Sequence, residues 1–95
     1  MPEQRFRIRW PDGSLEEGYS PSTIIREHLA VGQPYSVALF ATLARAGLEA
    51  ANARVRARFG MGCSQAVMQI ATISATAARF AGQPDAQVVI EAFLP

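Results

Sequence analysis

The chain contains no lysine: all nine of its basic residues are arginine. We read this as coding bias rather than selection for bidentate anion binding. It also has a single cysteine, Cys63, which excludes an internal disulfide and removes any support for an oxidising compartment. The opening stretch MPEQRFRIRW lacks the apolar run of a signal peptide, and no segment reaches the ~20 uncharged apolar residues of a membrane span. The expected address is therefore the cytoplasm, with no membrane partner. Charge is scarce as well. Charged residues make up 18% of the chain and the net charge is +1, which gives no electrostatic case for DNA or RNA. With one histidine, His28, and no Cys-x2-Cys or His-x3-His spacing, no metal site is expected from one chain, and no cofactor is implied.

What is present is a folded globule with 49% hydrophobic residues. Ninety-five residues suffice for one domain, residues 1–95, and not for two. Phe6, Ile8 and Trp10 alternate with Arg5, Arg7 and Arg9, the period-2 pattern of a strand with one apolar face. Pro11-Asp12-Gly13 then favours a tight reversal. A second strand follows in which Leu15, Glu17 and Tyr19 alternate with Glu16 and Gly18, and Glu16 is expected to meet the arginine face. Ser20 and Pro21 suit the start of a short helix burying Ile24, Ile25 and Leu29, ended by Gly32 and Pro34.

A long helix is predicted from Ser36 to Gly60, with Phe40, Leu43, Gly47, Leu48, Ala51 and Val55 on its apolar side. Arg54, Arg56 and Arg58 complement the negative end of its dipole on a solvated face. The next helix is nearly uncharged: Arg79 is the only charged residue between Met61 and Pro84. Val67, Ile70, Ile73, Ala77 and Phe80 form its predicted inward stripe, with Ala66, Ala71, Ala75 and Ala78 on its flanks. Such a helix asks for cover on more than one side, which so small a monomer cannot provide, so a homo-oligomer is expected. The last strand, residues 86–94, is expected beside the first, with Val88, Ile90, Ala92 and Leu94 inward, Val89, Glu91 and Phe93 outward, and Glu91 against an arginine. The order β-β-α-α-α-β predicts an α+β fold, a three-stranded antiparallel sheet with a helical hairpin on one face.

The candidate chemistry gathers at Gly60-Met61-Gly62-Cys63-Ser64. A cysteine at a helix start has a dipole-favoured thiolate, and His28 is the one residue able to act as its base. Glycines before a helix N-terminus also offer backbone N–H groups to an anion, although the spacing matches neither a P-loop nor a dinucleotide fingerprint. Both readings compete with a plain one, in which Gly60 turns the chain and Cys63 is a small hydrophobe in a helical hairpin. The plain reading is preferred here. Tyr19, Ser22, Gly62, Cys63 and Ser64 remain the candidate ligand-binding positions, and Cys63 with His28 the candidate catalytic pair.

The stretches RFRIRWPDGS, YSPSTIIREHL, YSVALF and ANARVRARFGMGCSQA together resemble the small nitrogen-starvation-response protein family of bacteria. That family is encoded beside a nitrilase in gene clusters linked to nitrile and cyanide assimilation. The likeness runs from about Met1 to Phe80 and rests most on the WPDG turn, the YSPS entry and the RVRARFGMGCS segment. It implies a cytoplasmic accessory protein of nitrogen metabolism, with another protein of its gene cluster as a partner, and it implies no reaction. It directs attention to Tyr19, Ser20, Pro21, Ser22, Gly60, Cys63 and Ser64. The expected function is that of a non-enzymatic accessory or interaction protein. The alternative is a small-molecule binder or enzyme using the Cys63 thiolate on a nitrile or carbonyl.

Overall fold

A computed structural model describes residues 2–95. Strands β1 (Gln4–Arg9) and β2 (Leu15–Ser20) form the predicted hairpin. Gly13 adopts φ +83°, and Asp12 accepts from the Ser14 hydroxyl (2.6 Å) and the Ser14 N–H (3.0 Å), which together close the turn. These two bonds, the hydroxyl first, hold the Asp12 carboxyl below its ordinary pKa. A short 3-10 helix (Thr23–Glu27) follows, then β3 (Tyr35–Ser36), α1 (Val37–Phe59), α2 (Ser64–Ala78) and β4 (Gln87–Leu94). The strands lie in the order β2-β1-β4-β3 and all pairings among them are antiparallel. Among the described residues no helix is long and apolar enough to cross a membrane.

The α+β class and the helical hairpin are as predicted, and β4 does lie beside β1. The sheet, however, has four strands rather than three. The additional one, β3, is only two residues long and runs straight into α1, so it has no periodicity of its own to read. The first of the three expected helices is a five-residue 3-10 helix, and its cap is Ser22 rather than Ser20. Ser22 Oγ accepts from the Ile24 N–H (3.3 Å), while the buried Ser20 hydroxyl donates to the Ser22 carbonyl (2.7 Å). The long helix matches its expected ends: Ser36 Oγ accepts from the Leu39 N–H (3.2 Å), and Gly60 closes α1 at φ +81°.

One face of the sheet carries the core. Phe6, Ile8, Val88 and Ile90 are fully buried beneath Phe40, Ala44 and Leu48 of α1 and Ile73 and Ala77 of α2. Trp10 stacks on Phe80 (centroids 6.1 Å apart) and meets Phe40 edge-on at 5.6 Å. The opposite face is open to solvent and carries the arginine row. There Arg5 pairs with Glu17 (2.5 Å) and Arg9 with Glu91, the latter as expected.

Three side-chain placements correct the sequence reading. Register pairs Ile8 with Glu16 and Phe6 with Gly18, so Glu16 lies on the core side of β2 and Glu17 meets the arginines. There the Trp10 indole N–H donates to Glu16 Oε1 (3.1 Å). A bulge between Arg7 and Ile8 in the β1–β4 pairing makes Phe6 face Phe93, which turns Phe93 inward and Ala92 and Leu94 toward the arginine face. Lastly, Val67 is exposed and Ala66 buried, so the inward stripe of α2 runs through Ala66, Ile73 and Ala77.

Candidate functional site

The residues singled out in the sequence sit where the end of β2 meets the α1–α2 turn. Cys63 is the N-cap residue of α2, half-buried, and its side chain makes no capping bond. Its N–H instead donates to Asn52 Oδ1 of α1 (2.5 Å), and its carbonyl accepts from the N–H groups of Ala66 and Val67. Gly62 approaches α1 closely: a Cβ at that position would stand 2.9 Å from Asn52 Oδ1 and 3.2 Å from an Arg56 nitrogen, so a larger residue would have to move those side-chain ends. The turn is thus bolted to α1 by one amide side chain.

Tyr19 lies across from this turn, beside Cys63 and Glu3. Burial first, and then the Glu3 carboxylate and the Cys63 side chain, push its phenol up to about 12. Its stabilising effect is fully present below pH ~10 and is lost as pH rises through 12. Absorbance at 295 nm is expected to show Tyr19 ionising near pH 12, and Glu3→Gln to move that step toward 10. A step that Glu3→Gln leaves in place contradicts the proximity of the two groups.

Ser22 joins this end of the molecule through Arg54 of α1, whose guanidinium donates to Ser22 Oγ (3.3 Å). One of the three arginines of the predicted dipole run therefore ties α1 to the cap of the 3-10 helix. Ser64 is exposed at the first position of α2. His28 sits differently. Its Nδ1 lies 3.2 Å from the Ile24 carbonyl and its ring rests on Gly47 of α1, and among the described residues no hydrogen bond joins it to Cys63. The structure brings Tyr19 and Cys63 together, and engages His28 in a separate packing contact.

Sequence reasoning missed Glu3, Asn52 and Gln69. Asn52 had a signal, since it is a poor helix former inside an alanine-rich segment. Gln69 had none. Its side-chain oxygen accepts from the Tyr19 N–H (2.9 Å), fastening α2 to the outer edge of β2. Between that edge and α2 runs an open groove walled by Glu3, Glu17 and Tyr19 on one side and Gln65, Gln69 and Thr72 on the other. Glu16 also contributes to it. Its Oε1 is held by Trp10 and by the Thr76 hydroxyl (3.5 Å), and among the described residues its Oε2 is buried with no donor.

Fold and site together define a small α+β protein in which two helices cover one face of an antiparallel sheet and a polar groove follows the sheet's free edge. The chain belongs to the family described as nitrogen starvation-induced protein NitG, which matches residues 5–93. The match extends past Phe80 through most of β4. No curated protein and no solved structure matches the chain.

Proposed function

We propose that this protein is a non-enzymatic, cytoplasmic accessory protein of the nitrogen-starvation response, acting as a homo-oligomer joined through the outer face of α2. The observation that carries the reading is the character of that face. The helix has no charged residue from Ser64 to Ala78, yet Val67 is 58% and Met68 68% exposed. Phe59 and Met61, at 63% and 76%, extend the apolar surface onto the turn. An uncharged outer face on a helix about 22 Å long is unusual for an isolated small domain and suits a contact between copies. Another protein of the same gene cluster, linked by the family resemblance to nitrile and cyanide metabolism, is the partner such an oligomer would present itself to.

Light scattering coupled to size exclusion tests this. At micromolar concentration the wild-type protein is expected at twice the chain mass of 10.3 kDa or more. Val67→Glu/Ala71→Glu is expected to return the mass to one chain with unchanged helical content, because the added charges lie on the exposed side. A wild-type protein of single-chain mass removes the oligomer from the proposal.

A second reading keeps Cys63 as a thiolate that binds or attacks a small nitrile or carbonyl compound. It is favoured by the half-buried thiol at an α-helix N-terminus. Thiol alkylation followed against pH discriminates: a midpoint well below the ~8.5 of a free thiol supports it, and a midpoint at or above that value removes it.

A further inference from the structure

The free edge of β2 has a geometry that the α2 face does not explain. The Trp10 N–H donates to the Ser14 carbonyl (2.9 Å), and from there the hairpin register makes alternate residues bond to β1. Ser14, Glu16, Gly18 and Ser20 therefore point their backbone groups inward, whereas Leu15, Glu17 and Tyr19 point theirs out of the sheet. The Tyr19 N–H confirms this phase, since it is met by the Gln69 side chain just as a neighbouring strand's carbonyl would meet it. Among the described residues, the N–H and C=O of Glu17 have no partner. The edge is not blunted by proline or lysine, and Leu15 and Glu17 are exposed.

We propose that this edge, together with the groove beside α2, binds an extended segment of a partner protein as a fifth strand, and that the segment carries arginine or lysine at alternate positions. Backbone pairing to Leu15, to Glu17 and to the Tyr19 carbonyl supplies the sequence-independent part of the affinity, the Tyr19 N–H being already held by Gln69. Charge supplies the selectivity. Two carboxylates on the solvent side of the groove, Glu3 beside Tyr19 and Glu17, stand against one guanidinium, Arg5, which already pairs with Glu17; Glu16 lies on the core side. A second copy of β2 fits poorly. Two-fold antiparallel pairing about the middle of this strand sets Glu17 against Glu17, a like-charge pair directly opposite.

The test uses the full chain and the peptide acetyl-TVRVRVT-amide, followed by amide NMR. Binding is expected to shift the amides of Leu15, Glu17 and Tyr19 and to protect the Glu17 N–H from hydrogen exchange. The peptide acetyl-TVEVEVT-amide is expected to bind about tenfold more weakly or worse, and Glu17→Gln to weaken the arginine peptide roughly twofold to fivefold. Of two arginine peptides N-methylated at alternating sets of amides, one is expected to lose binding and the other to keep it, because only one set faces β2. Binding is expected to survive in Val67→Glu, which separates this surface from the face proposed for self-association. The proposal is overturned by any of four results: no shift at millimolar peptide, equal binding of the arginine and glutamate peptides, indifference to both methylation patterns, or shifts confined to the outer face of α2. Self-association that Glu17→Gln strengthens would assign the edge to a second copy and overturn it equally.

Discussion

Trp10→Ala is expected to lower stability by about 3–5 kcal/mol, the usual cost of emptying a buried tryptophan site. The residue is 2% exposed and lies between the rings of Phe40 and Phe80, so its loss leaves a cavity where the hairpin, α1 and the end of α2 meet. A second loss compounds the first. The indole N–H is one of two donors to Glu16 Oε1, and the other, the Thr76 hydroxyl, stands at 3.5 Å. Without the indole, a carboxylate whose Oε2 is already buried and, among the described residues, unpartnered loses its better donor. Trp10→Phe keeps most of the packing and removes only the N–H, so its expected cost is the smaller ~1–3 kcal/mol. Thermal melts by circular dichroism at one fixed protein concentration separate the two, with the alanine variant expected to fall by roughly 12 °C or more. Equal melting temperatures for both variants would show that the cavity contributes nothing.

The second large effect comes from a glycine. A Cβ at Gly18 would lie 2.4, 2.5 and 2.9 Å from three atoms of the Phe6 ring, and that ring is wholly buried against the core. The ring cannot swing away without displacing Phe93, its edge-on neighbour at 6.4 Å. Gly18→Ala is therefore expected to cost about 1–3 kcal/mol through overpacking. Gly82→Ala is the control, because nothing stands within 4 Å of a Cβ there. It is expected to stay within about 0.5 kcal/mol of wild type in urea unfolding. Similar losses at both positions would show that the contact with Phe6 is not the cause, because backbone entropy alone favours alanine over glycine.

These two sites also show why part of the fold was legible in the sequence and part was not. The apolar alternation of Phe6, Ile8 and Trp10, the Pro-Asp-Gly turn and the caps of α1 are local signals, and each element they predict is present. The buried side of β2 carries Glu16, Gly18 and Ser20, which have no hydrophobic pattern. Only pairing with β1 sets their side of the sheet. Phe93 was misplaced for a related reason: one bulge inverts the parity of everything beyond it, and nothing in the strand's composition marks the bulge. At the candidate site, the turn before Cys63 was readable from its glycines. Its closeness to Tyr19 was not, because topology and not sequence spacing brings β2 and the start of α2 together.

The contact proposed between copies of this chain is the uncharged outer face of α2. Hydroxyl-radical footprinting of the unmodified protein across a dilution series tests it most directly, since Met61 and Met68 lie on that surface at 76% and 68% exposure. Slow oxidation of both is expected at high concentration, with a several-fold rise on dilution, while helical content stays constant. Fast oxidation at every concentration would contradict it.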